Sequence, residues 1–165
     1  MKHNLNRLVI LSDIFGLTPA LQKLVADLST DKTSVIIDPY RGQQLNFASE
    51  TRAYQYFTEH VGLENYLEYA RQQLIGLEKI DQIIGFSVGG SVLWRLLSEQ
   101  PELLAHSENI CFYPSQVRHY SDLTPAFPCR VYLPKKEAHF SITDMSAALK
   151  IMPGIKVVNT PYYHG

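Results

Sequence analysis

The sequence of 165 residues is short of several things, and each shortage excludes a class of function. It has two cysteines, Cys111 and Cys129, with no Cys-x-x-Cys spacing, which excludes a disulfide-stapled scaffold and a cysteine-based zinc centre. Both fall in apolar, strand-like runs, so buried reduced thiols are predicted. No apolar run approaches the ~18 residues that a membrane helix needs. The first residues, Met1-Lys2-His3-Asn4-Leu5-Asn6, lack the apolar stretch and cleavage site of a secretory leader, and a cytoplasmic location is expected. Basic residues are not in excess: Lys+Arg is 15 against Asp+Glu 16, for a formal charge of −1. Neither a nucleic acid nor a membrane surface is therefore expected as a partner. The phosphate-cradling GxxxxGK[ST], the dinucleotide GxGxxG and the zinc-protease HExxH are all missing. The six histidines are scattered without metal-ligand spacing, so neither metal nor cofactor is expected. Nothing in the sequence speaks to oligomeric state.

With 45% hydrophobic and 19% charged residues, the composition is that of a folded chain. No repeat, low-complexity tract or linker divides it, and residues 1–165 read as one domain. Apolar runs alternate with helical patterns from end to end. Strands are predicted at Arg7–Leu11, Ser34–Ile37, Gln82–Phe86, Asn109–Tyr113, Arg130–Leu133 and Lys156–Thr160. Between them, Thr18-Pro19 reads as an N-cap followed by proline at the first helical position. Helical spacing then recurs over Ala48–Gly76 with a break near Val61-Gly62, over Gly90–Gln100 and over Thr143–Ile151. Six apolar strands with intervening helices predict a three-layer α/β sandwich, a mainly parallel six-stranded sheet with helices on both faces. The stretch from Pro114 to Pro128 is the one long irregular loop, too short for a cap domain, so an open, shallow site is expected.

In such sheets function sits at the carboxyl ends of the strands. After the third predicted strand comes Gly85-Phe86-Ser87-Val88-Gly89-Gly90, a G-x-S-x-G with a strand before it and a helix after it. That context defines a nucleophile elbow: the turn pushes the serine hydroxyl above the sheet, and the glycines leave room where strand and helix crowd. The helix that starts near Val88 offers free N–H groups to an oxyanion. The alternative is that Ser87 is a helix N-cap and the glycines only permit close packing. A serine nucleophile needs a base oriented by an acid. Glu137 and His164 follow Ser87 in that chain order, each just beyond a predicted strand. Glu137 reads equally as a solvated loop charge beside Lys135 and Lys136. Asp144 and Asp122 are the substitutes, although Asp144 suits the N-terminus of its helix. Arg41 reads either as a ligand for an acidic substrate group or as a surface ion-pair partner, and Tyr162-Tyr163 as pocket lining or as packing at the core edge.

Four segments in register carry a resemblance that spans nearly the whole chain. They are Leu11-Ser12-Asp13-Ile14-Phe15-Gly16, Asp38-Pro39-Tyr40-Arg41-Gly42, the elbow, and Tyr163-His164-Gly165. Together they resemble the dienelactone hydrolase family of α/β-hydrolases. The resemblance implies an α/β-hydrolase fold with Ser87 as nucleophile, His164 as base and Glu137 in the place of the acid. It further implies an oxyanion hole from the N–H groups of Val88 and Ile14. Asp13 stands where the family's acidic residue approaches the nucleophile, and Asp13, Phe15, Arg41 and Phe86 are the expected substrate-binding residues. Three departures stand out. The family's cysteine nucleophile is serine here, and its Gly-x-x-Asp acid loop is replaced by Pro134 and Glu137. Its carboxylate-binding arginine lies beyond the last residue of this sequence. Dienelactone itself is therefore not the expected substrate. The expected activity is hydrolysis of a small ester or thioester; the alternative is a non-catalytic relative that binds a ligand or a protein in the same cleft. With one residue after His164, the base is expected on a loosely held chain end.

Overall fold

The computed structural model describes residues 7–164. The segment Met1–Asn6, on which the leader reading rests, and Gly165 of the last motif lie outside the described residues. Arg7–Leu11 forms β1, second from one edge of the sheet, and its residues from Leu8 to Leu11 are fully buried. It pairs in parallel with β2 (Thr33–Ile37) on one side and β3 (Gln82–Phe86) on the other. Beyond β3 follow β4 (Glu108–Phe112), β5 (Cys129–Leu133) and β6 (Ile155–Asn159), all parallel, in the order β2-β1-β3-β4-β5-β6. The predicted sheet is thus present, and it is wholly parallel. The strand order reverses between β1 and β3, and the carboxyl ends of strands at such a switch point form the crevice where α/β sheets bind ligands.

The helices start where the sequence provides caps. The Thr18 hydroxyl accepts from the Leu21 N–H at the head of α1 (Pro19–Leu28). The Ser49 hydroxyl does the same for Arg52 in α2 (Glu50–His60), and the Ser141 hydroxyl for Asp144 in α5 (Ile142–Lys150). The expected break falls at Gly62, whose φ of +74° is accessible to glycine without strain, and α3 (Gly62–Ile75) follows. Helix α4 (Val88–Glu99) is the most buried, with Trp94 at its centre. Among the described residues no helix is long and apolar enough to cross a membrane.

The two faces of the sheet are covered unequally. Side chains of α2, α3, α4 and α5 pack with Val9, Leu11, Ile83, Cys111 and Val131 in the larger core. Cys111 and Cys129 are buried there as free thiols, their sulfurs 3.6 Å apart. On the opposite face Leu8, Ile10, Ile84 and Ile110 pack with Leu21 and Val25 of α1, and Phe86, Phe112 and Tyr132 extend that layer across β3, β4 and β5. Strand β4 ends one residue before the predicted end because Tyr113 turns to a φ of +53°.

Candidate active site

Ser87 lies between β3 and α4 with φ +52° and ψ −114°, a conformation rare outside glycine. Holding it costs on the order of 1–3 kcal/mol, and such strain collects at functional sites. The Ser87 N–H donates to the Phe112 carbonyl at 2.8 Å, and the Ser87 carbonyl accepts from Ser91 N–H at 3.1 Å. The Ser87 hydroxyl caps no helix N–H, so the capping alternative is not the one adopted. The flanking glycines answer to backbone contact. A Cβ on Gly85 would stand 2.4 Å from the Gly89 oxygen, and one on Gly89 2.3 Å from the Leu11 oxygen. Helix, strand and neighbouring strand therefore approach as closely as they do only with glycine at both positions.

His164 and Glu137 come together. His164 Nδ1 and Glu137 Oε1 are 2.5 Å apart, with side chains 22% and 14% exposed. A carboxylate that accepts from Nδ1–H leaves Nε2 as the unprotonated ring nitrogen of the neutral imidazole. The Tyr113 ring packs edge-on against the imidazole, with centroids 5.4 Å apart, and its hydroxyl lies 3.1 Å from Thr160 Oγ1. The segment between β6 and His164 is pinned: Thr160 N–H donates to the Leu133 carbonyl and Lys135 N–H to the Tyr162 carbonyl. His164 is therefore seated on the β5 loop, contrary to the expectation of a loosely held end. Ser87 and His164 line the same two hollows without a direct hydrogen bond between them among the described residues. Such bonds commonly tighten only when substrate arrives.

Val88 and Ile14, the expected oxyanion-hole residues, are both buried and both line the larger hollow. The loop carrying Ile14 is held from below by two tyrosines. Tyr40 donates to the Ile14 carbonyl at 2.5 Å, and the fully buried Tyr66 donates within 3.0 Å of Ser12 O and 2.8 Å of Ile37 O. Asp38 in turn accepts from the N–H groups of Tyr40 and Gly42, each at 2.8 Å. Burial and the charges of Asp38 and Asp13 push the Tyr66 phenol well above its ordinary value, so it serves as a neutral donor. Tyr66→Phe removes the donor shared by the Ser12 and Ile37 carbonyls, of which Ile37 keeps the Ser12 N–H at 3.1 Å, and is expected to cost about 1–3 kcal/mol of stability, read by denaturant unfolding. An unchanged unfolding midpoint would refute this role.

Asp13 sits beside His164 in the smaller hollow. Burial pushes its carboxyl above its ordinary 3.8, opposed by the Phe15 N–H, by its electrostatic interaction with His164 and by the Gly16 N–H. A carboxyl that holds its proton more tightly folded than unfolded costs stability as the pH rises from its unfolded value through its raised one. Asn at this position can still accept from Phe15 N–H, which Asp13 Oδ1 does at 2.8 Å. Asp13→Asn is therefore expected to melt above the wild type at neutral pH and to match it near about pH 3, where both are uncharged. Equal melting at both pH values would contradict it.

Of the other expected site residues, Phe15 and Phe86 line the smaller hollow, beside Phe112 and Tyr113. Arg41 is not brought into the cleft: at a φ of +55° its guanidinium lies 5.1 Å from the centre of the Tyr69 ring of α3. Asp144 sits in the first turn of α5 and Asp122 in an exposed loop, neither beside His164. Tyr113, Tyr40 and Tyr66 were not anticipated. The signal for Tyr113 was its place at the carboxyl end of the fourth strand, the rule that found the other groups. The larger hollow, of about 420 Å³, mixes the polar and charged Gln116, Arg118, Glu137 and His139 with the apolar Ile14, Val88 and Phe140. The smaller, of about 370 Å³, is mostly apolar.

No family model matches the sequence, and no curated protein matches it. Solved structures do. A protein described as a candidate dienelactone hydrolase from Klebsiella pneumoniae superposes with a TM-score of 0.68 at 17% identity, over 98% of this chain and 75% of the other. A hydrolase from Pseudomonas aeruginosa gives 0.64 at 12% identity, over 98% and 84%. The carboxylesterase CesB from Bacillus subtilis gives 0.59 at 14% identity, over 98% and 78%. These likenesses agree with the sheet order and the elbow: the chain has the α/β-hydrolase fold.

Proposed function

We propose that the protein is a small serine hydrolase of esters or thioesters. The observation that carries this reading is the strained Ser87, whose hydroxyl is left out of helix capping, in a hollow shared with a His164 already held by a carboxylate. In the proposed reaction Ser87 Oγ attacks the acyl carbon and passes its proton to His164 Nε2, while Glu137 holds Nδ1–H and stabilises the imidazolium. The N–H groups of Val88 and Ile14 receive the negative charge that develops on the carbonyl oxygen. His164 then gives its proton to the departing alkoxide or thiolate. Water, deprotonated by the same nitrogen, attacks the acyl-enzyme, and the serine leaves with a proton while the carboxylic acid is released. The larger hollow is open enough to admit that water.

A fluorophosphonate probe tests the reading directly, because it reacts only with an activated nucleophile. One probe per chain is expected on the wild type, mapped by mass spectrometry to the peptide containing Ser87, and none on folded Ser87→Ala. A folded wild type that stays unlabelled and leaves short-chain esters intact would favour the non-catalytic relative instead.

A further inference from the structure

The two hollows that meet at Ser87 and His164 differ in chemistry, and the difference points to a substrate class. The larger hollow is mixed, with Glu137, His139, Gln116 and Arg118 beside Ile14, Val88 and Phe140. The smaller is walled by Phe15, Phe86, Phe112 and Tyr113, and its acidic members are Asp13 and Glu50, the latter shared with the larger hollow. Two of its lining rings are stacked. The rings of Phe86 and Phe112 stack with centroids 5.4 Å apart and 16° between planes. Phe112 and Tyr132 continue the row at 4.4 Å and 13°. Phe86 and Phe112 line the hollow, and Tyr132, on β5 beyond its lining, extends the row of rings in the layer shared with Leu21 and Val25 of α1.

We propose, resting on the hydrolase reading above, that this aromatic row is the acyl site and that the enzyme prefers uncharged, apolar acyl groups, flat or extended, over short or anionic ones. The second half-reaction assigns the arms. Water must reach His164 Nε2 while the acyl group is still on Ser87, and the larger hollow carries more of the polar groups that hold water, Glu137, Gln116 and His139. The acyl group is therefore assigned to the mostly apolar smaller hollow, and the leaving group to the larger one. Aromatic faces accept alkyl chains and other rings, whereas an acyl carboxylate would lie beside Asp13 and Glu50 without a cation among the hollow's lining residues.

The test is a series of p-nitrophenyl esters on the whole chain: acetate, butyrate, hexanoate, benzoate and hemiglutarate. Specificity, kcat/KM, is expected to rise about two- to fourfold per added methylene from acetate to hexanoate. Benzoate is expected above acetate, and hemiglutarate at least about tenfold below butyrate. In Phe112→Ala the dependence on chain length is expected to flatten; Phe112→Leu, which keeps the layer apolar, serves if the alanine variant does not fold. Ser87-dependent hydrolysis with no gain along the series, or with hemiglutarate equal to butyrate, overturns the acyl-site assignment and leaves the hydrolase reading standing. Absence of both hydrolysis and fluorophosphonate labelling overturns the hydrolase reading itself, and the acyl site with it.

Discussion

Ser87→Ala is expected to lower kcat on a p-nitrophenyl ester by about 10⁴–10⁶-fold while the variant remains folded. The size of the effect follows from what the proposed mechanism loses: without Oγ it forms no acyl-enzyme, and the N–H groups it assigns to the oxyanion, those of Val88 and Ile14, are left to stabilise direct attack by water. Such a remnant is worth roughly 10³–10⁴ over the uncatalysed reaction in serine proteases that lack their triad. His164→Ala is expected to cost nearly as much, and the double variant little more than either alone, because nucleophile and base act as one unit. Circular dichroism and thermal melting should place both variants near the wild type, since neither side chain is part of the larger core. Ser87→Ala is expected to relieve little backbone strain, because alanine at a φ of +52° is no better accommodated than serine. Retention of more than about a tenth of kcat in folded Ser87→Ala would remove Ser87 from the mechanism.

Much of this arrangement was legible in the sequence, for reasons that can be named. Parallel strands buried on both faces are written as unbroken apolar runs, so RLVIL and QIIGF mark β1 and β3 to the residue. Thr18 caps its helix through a bond spanning three residues and reads as a cap in the sequence. Ser49 and Ser141 make the same bond but do not read as caps, because neither is followed by a proline that marks the helix start. The elbow glycines are visible because contact with neighbouring backbone excludes every other residue. Less visible were features that depend on distant partners. Tyr40 and Tyr66 reach across the fold to the loop of Ile14, and no local spacing marks a buried phenol as a prop. Arg41 looked available for an acidic substrate, but its left-handed backbone places it over Tyr69. The contact of His164 with Glu137 was expected from chain order, whereas the Tyr113 ring against the imidazole, a partner far back in sequence, was not.

Glu137→Gln is expected to reduce kcat by about 10³–10⁴-fold with little change in KM. Glutamine is nearly isosteric but neutral, and its amide can donate to Nδ1, which puts the imidazole proton on Nε2, where it cannot accept from Ser87. Fluorophosphonate labelling should slow in proportion, since it too requires the activated hydroxyl. Glu137→Asp isolates reach from charge. The carboxylate now meets His164 Nδ1 at 2.5 Å, and shortening the arm by one methylene withdraws it by about 1 Å or more, for which a loss near 10² in rate is expected. Recovery in the order glutamate, aspartate, glutamine would mean that Glu137 acts both by its charge and by its length. If glutamine keeps more than about a third of kcat, Glu137 is only a loop charge beside His164. In the dienelactone hydrolase family that the chain resembles, an aspartate stands in a Gly-x-x-Asp loop. Here a stiffer loop opens at Pro134, and the longer glutamate arm meets the imidazole. Loop and side chain therefore both differ from the family's pattern, and aspartate alone is not expected to reproduce that family's geometry here.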